Sequence, residues 1–203
     1  MEKDEHGQDG SYVVRSLYFD DYYDTSAKDT EAGLSKRYKW RIRYYDDFSF
    51  LHLECKEKER GMCYKESCPL SLEEYNAIIN GDVYYLFWKN DKVLLKRFAK
   101  DIVSKHFEPK AIIEYERIAY VYKPLDIRIT IDQNISTSNE FGKFLDGNYV
   151  KYPLQKRNFN ILEIKYDYIL PGYIKNLASS PNMVRQTSSK FYMGRLILKK
   201  AGI

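Results

Sequence analysis

Long apolar runs are missing from this sequence. None approaches the roughly 20 residues that a helix needs to cross a bilayer, and no apolar stretch follows Met1 in the manner of a secretory signal. No transmembrane segment is therefore expected, and a cytoplasmic location follows by default. Cysteine and histidine are scarce as well, at three residues each in 203. Cys55, Cys63 and Cys68 show no CxxC spacing, and His6, His52 and His106 do not gather beside them in a zinc pattern, so neither a disulfide nor a zinc site is expected. Repeats, linkers and low-complexity tracts are lacking too, so 1–203 reads as a single domain. Nor is there a large excess of charge. With 33 Lys and Arg against 29 Asp and Glu, the formal net charge is +4, too small to identify an anionic partner by itself.

Aromatic residues are plentiful: 20 Tyr and 10 Phe favour pleated, half-buried surfaces and a β-rich fold. The first ten residues read as a loop. Strands are expected over 12–19, 39–45, 50–58, 62–67, 111–122, 126–132 and 160–168, with Asp46 and Asp47 at the turn of a hairpin. Ser71 and Glu74 form the S/TxxE capping box of a helix running to Asn80. Val93, Leu94, Phe98, Ile102 and Val103 make the stripe of a second helix over 92–105, and a short helix is expected over 174–178. The fold class is α+β.

Alternation along the strands sorts the charges. Arg41 and Arg43 share a face that Ile42 opposes; Glu54, Lys56 and Lys58 oppose Leu53 and Cys55. Arg128, Thr130 and Asp132 oppose Ile127, Ile129 and Ile131, while Glu163 and Lys165 oppose Leu162 and Ile164. Two arrangements produce such faces. One is an open antiparallel sheet with its charges in solvent. The other is a closed antiparallel β-barrel with a polar, basic interior around a ligand and a few flanking helices. The density of Arg in RYKWRIRYY and at Arg117 and Arg128 favours the second, because guanidinium groups are bidentate donors to phosphate oxygens. Glu54 and Glu163 are the carboxylates that a divalent cation bridging protein and phosphate would use.

The segments SLYFDDYYDT, KWRIRYY, LECKEKERGMCYKES, IIEYERIAY, DIRITID, ILEIKYDYILP and QTSSKFYMG follow one another in an order similar to that of the VTC-type polyphosphate polymerase domain, a branch of the triphosphate-tunnel (CYTH-like) superfamily. The resemblance covers about 12–194 and implies a tunnel-shaped barrel that moves the terminal phosphate of ATP onto polyphosphate with Mn²⁺ or Mg²⁺. By motif, Arg41, Arg43, Lys56, Arg117 and Arg128 would be the catalytic phosphate clamps. Lys65, Lys165, Lys190 and Ser189 would contact substrate, with Ser188 a further hydroxyl donor, and Glu163 would hold the metal. The partners implied are ATP or another triphosphate and inorganic polyphosphate. Nucleic acid is not expected, since no RNP-type motif is present.

The resemblance also has a gap. The family's first strand, with its RxExKY motif, and the helix after it have no counterpart before Tyr12, which implies two unpaired barrel edges and a possible route to a homodimer. A metal-dependent triphosphatase on the same barrel and a non-catalytic polyphosphate-binding module are the alternatives. The ExExK strand of the hydrolases is approximated only by LECKEK and IIEYER.

Overall fold

The computed structural model of the chain describes residues 1–3, 10–88, 91–156 and 159–202, and for 47–49 the backbone alone. His6 and most of the expected N-terminal loop lie outside these residues. Among them, nine strands form one antiparallel sheet. In chain order these are β1 (Glu2–Lys3), β2 (Ser11–Asp20), β3 (Lys36–Tyr45), β4 (Asp47–Glu59), β5 (Met62–Pro69), β6 (Glu108–Tyr122), β7 (Ile127–Ser138), β8 (Tyr152–Pro153) and β9 (Ile161–Lys165). The spatial order is β5-β4-β3-β2-β6-β7-β8, with β1 pairing β6 beyond the end of β2 and β9 pairing β7 beyond β8.

The expected closed barrel is not formed by the described residues. Among the described residues β5 pairs only with β4, and β8 and β9 only with β7, so the sheet keeps two edges. The physical reason lies at the far edge. It is split between a two-residue and a five-residue strand and offers no continuous ladder for β5 to complete.

Turn chemistry sets the registers. Arg60 and Gly61 both take positive φ, 48° and 85°, the left-handed pair that joins twisted strands in a two-residue hairpin loop. Asp46 alone turns β3 into β4 at φ 45°, with its carboxylate accepting from the Val13 amide at 2.7 Å.

One face of the sheet is apolar. Leu17, Phe19, Trp40, Ile42, Tyr44, Leu53 and Cys55 pack there, beneath α2 (Leu72–Ile79), α3 (Val83–Trp88) and α4 (Val93–Lys105). The capping box is formed as expected: Ser71 Oγ accepts from the Glu74 amide and the Glu74 carboxylate accepts from the Ser71 amide. The stripe of α4 is Leu94, Leu95, Phe98 and Ala99; Val93 and Val103 are exposed instead.

Over the other face lies α6 (Lys190–Lys200), which packs on β6 and β7, with Phe191 stacked on Tyr18 at 4.7 Å. Two short helices, α1 (Thr25–Glu31) and α5 (Gly172–Leu177), complete the chain. Gly194 lets α6 sit close. A Cβ there would lie 2.5 Å from Ile113 Cδ1 and 2.9 Å from Thr137 Oγ1. Gly194→Ala is therefore expected to destabilise the fold by about 1–3 kcal/mol through overpacking, measured by urea denaturation. A change below about 0.5 kcal/mol would mean that the contact relaxes freely.

Candidate functional site

The polar face is built by register. Arg41 lies opposite Tyr18 on one side and Glu54 on the other, and Arg43 lies opposite Ser16. Glu54, 3% exposed, accepts from Arg41 at 2.6 Å and from the Lys65 ammonium at 2.5 Å. Burial pushes this carboxyl up, but Arg41, Arg43 and Lys65 outweigh it and bring the pKa down to about 2. The second guanidinium, Arg43, is 7% exposed. Its Nε donates to Ser16 Oγ at 3.0 Å and its Nη2 to the Tyr115 hydroxyl at 3.3 Å. Both acceptors are neutral, and Arg43 has no ion pair among the described residues.

Tyr18 receives a hydrogen bond from Arg41 Nη1 at 2.9 Å. Burial raises the pKa of its phenol, yet Arg41, Arg43 and Lys39 together pull it down to about 7. Arg41 itself is held firmly cationic: burial opposes its charge, and Tyr18 and Glu54 overcome that.

A second centre lies across β6 and β7. Asp132, fully buried, takes a bidentate pair from Arg117 at 2.6 and 2.8 Å and an ion pair from Lys190 at 2.7 Å. Burial would raise its pKa; Arg117 and Lys190 hold it below the ordinary carboxylate value. Tyr115 links the two centres. Its hydroxyl receives Arg43, while its ring centroid is 5.1 Å from the Arg117 guanidinium carbon and 4.9 Å from Lys190 Nζ. Further along, Arg128 donates to the Tyr12 hydroxyl at 3.2 Å and lies opposite Lys165, while Glu163 lies opposite Thr130. Thr130 Oγ1 is buried without a hydrogen-bond partner among the described residues.

Of the residues singled out from sequence, Arg41, Glu54 and Lys65 are in direct contact, and Arg43 joins the Arg117/Lys190 group through Tyr115. Lys56 is exposed on β4 opposite both Lys39 and Lys65. Glu163 and Lys165 pair loosely at 3.5 Å, with 42% and 64% of their side chains exposed. Ser189 caps α6, its Oγ accepting from the Tyr192 amide, and Ser188 is exposed. No cluster of three or more His, Cys, Asp or Glu suited to a metal occurs among the described residues.

Sequence reasoning passed over Ser16, Tyr18, Tyr115 and Asp132 as site residues. Asp132 had a usable signal, since it shares the face of Arg128 in DIRITID.

The profile of the VTC domain matches residues 1–199. The chain belongs to the VTC domain family. No curated protein sequence matches it. Among solved structures, this VTC domain resembles a candidate adenylate cyclase from Bacillus halodurans with a TM-score of 0.53 at 12% identity, over 90% of this chain and 81% of that one. The likeness shows a shared fold. A candidate adenylyl cyclase of Hippeastrum with a dominant triphosphatase activity is more distant, with a TM-score of 0.45 at 13% identity, over 95% of this chain and 75% of that one.

Proposed function

We propose that this VTC domain is a metal-dependent phosphotransferase that moves the terminal phosphate of ATP onto a polyphosphate chain laid along the polar face. The observation that supports it best is Arg43: a buried guanidinium whose described partners are two neutral hydroxyls and the Tyr45 ring. Glu54 attracts Arg43 without pairing with it, and a buried cation with no directly paired counter-charge costs several kcal/mol, a cost that a phosphate oxygen would reduce. Arg41, Lys56, Arg117 and Arg128 extend the clamp, with Lys65, Lys165 and Lys190 at its margins. Their work is positioning and charge neutralisation, which is most of what phosphoryl transfer requires of a protein.

The donor set fits a divalent cation in one way. Both oxygens of Glu54 and both of Asp132 are already held by Arg and Lys, so neither is open to a metal. Glu163 is open. Mg²⁺ and similar ions use one or two carboxylates together with substrate phosphates, so Glu163 would hold Mn²⁺ or Mg²⁺ that arrives with the triphosphate. The bound ion would neutralise charge developing on the transferred group. With Glu54 and Asp132 occupied, no carboxylate at the centre is left among the described residues to activate water, which favours transfer to a phosphate acceptor over hydrolysis.

The test is an incubation with ATP and Mn²⁺ followed by separation of the products. Polymer and ADP are expected; free phosphate in place of polymer would establish a triphosphatase. Glu163→Gln is expected to raise the Mn²⁺ concentration needed for half-maximal turnover by about tenfold. An unchanged metal requirement would remove Glu163 from the metal.

A further inference from the structure

Towards the start of β3 the pattern of charge pairing reverses. At the centre of the face, cross-strand neighbours carry opposite signs, as in Arg41 opposite Glu54. Two and four residues earlier, Lys39 lies opposite Lys56 and Arg37 opposite Lys58, and on the next strand Lys56 lies opposite Lys65. Like charges directly opposite one another destabilise a sheet. Here three such pairs adjoin, and Arg37, Lys39, Lys56 and Lys58 form no ion pair among the described residues. Among the described residues Arg37 donates to the Leu34 carbonyl alone.

These four cations line a cavity of about 260 Å³ that also includes Thr30 and Cys63 and has no carboxylate in its wall. Lys39 registers the repulsion. Burial pushes its ammonium down, Tyr18 opposes that, and Lys56, Arg41 and Arg37 add to the fall.

We infer that this cavity is a second phosphate-binding subsite, which holds the part of a linear polyphosphate remote from the Arg41/Arg43 centre. The inference rests on the function proposed above and extends it. Arg37 is six residues from Arg43 along β3, roughly 20 Å at about 3.3 Å per residue. A triphosphate held at Arg43 does not reach that far, whereas a longer chain does. The occupant must carry closely spaced negative charges, because the cations that repel one another sit on directly paired strands. A polymer with a charge on every unit meets that spacing, and the cavity lies on the same strands and the same face as the Arg41/Arg43 centre. Binding therefore grows tighter with chain length, and the subsite keeps hold of the polymer between successive additions.

The experiment compares pyrophosphate, tripolyphosphate and a long polyphosphate, by calorimetric titration, on the wild type and on the double variant Arg37→Gln/Lys58→Gln. The wild type is expected to bind the long chain at least about tenfold tighter per chain than tripolyphosphate. In the variant that advantage should shrink to about twofold or less, with tripolyphosphate affinity unchanged. Since the substitutions relieve repulsion, the variant without ligand should melt at or above the wild type; a lower melting temperature would contradict the repulsion and overturn the inference. A length advantage that survives in the variant overturns the subsite and leaves the proposed function standing. If the wild type binds neither tripolyphosphate nor the long chain, the proposed function fails and the subsite with it. Pyrophosphate binding that the substitutions abolish, without any gain from chain length, overturns the polymer as occupant in favour of a free small anion.

Discussion

Arg43→Met is expected to weaken tripolyphosphate binding by roughly two orders of magnitude, because each charge-assisted hydrogen bond to a confined phosphate contributes about 1.5–3 kcal/mol. The stability of the free protein should change far less. Methionine removes a buried charge that no carboxylate among the described residues pairs directly, which is favourable, and leaves Ser16 and the Tyr115 hydroxyl without their donor, which is not. The two effects offset each other. A thermal melt with and without tripolyphosphate separates them: the ligand-induced rise should nearly vanish while the unliganded midpoint stays close to that of the wild type. Lys100→Ala, on the exposed side of α4, is the control. Lys199 would be a poor one, since its ammonium pairs with Asp24 at 2.5 Å. Retention of affinity within about threefold in Arg43→Met would remove the observation on which the proposed function mainly stands.

Acid should unfold this protein through its buried carboxylates. Glu54 has its folded pKa lowered from an ordinary 4.5 to about 2. A depressed folded value means that stability is fully present above the unfolded pKa and is lost as pH falls through the folded one. The contribution of Glu54, about 3 kcal/mol, should therefore disappear between about pH 4.5 and pH 2. Asp132, Asp24 and Glu114 shift in the same direction, and their losses add over the acid range. Glu54→Gln is expected to be less stable than the wild type by about 3 kcal/mol at pH 7, with Arg41 left facing a neutral group. That gap should narrow steadily toward pH 2 in urea melts. A gap that stays constant with pH would mean that the carboxylate's charge is not what holds Arg41 and Lys65.

Strand identity and facing were legible because a period of two leaves little freedom. Trp40, Ile42 and Tyr44 are all buried on the face covered by α2, α3 and α4, while Arg41 and Arg43 turn to the other. Which carboxylate meets which cation was not legible. Asp132 reaches Arg117 only through the pairing of β6 with β7, and Lys190 only because α6 is placed over that face. Neither fact is local. The helices α1, α3 and α6 were missed for a related reason: α1 and α3 have seven and six residues, and α6 interrupts its apolar stripe with Gly194 and Arg195. Closure of the sheet depends on whether two distant edges find one another, about which alternation says nothing.

The long reach of α6 has a consequence for the order in which the site is made. Arg195 grips Asp24 from 171 positions away, and Lys190 and Phe191 beside it complete the surroundings of Asp132 and Tyr18. Contacts of such sequence separation form late, because the loop they close must be ordered first. During synthesis, β2 and β3 can pair as soon as both have emerged, yet until residues 190–199 arrive Asp24 lacks Arg195 and Lys199, and Asp132 has Arg117 but lacks Lys190. A nascent chain therefore presents an arginine-rich face with Asp24 unpaired and Asp132 short of one cation, a combination that disfavours polyanions until α6 docks. On the proposed function, competence to hold a phosphate chain waits for α6, and a ribosome-bound fragment ending near residue 185 should fold its sheet without acquiring the affinity.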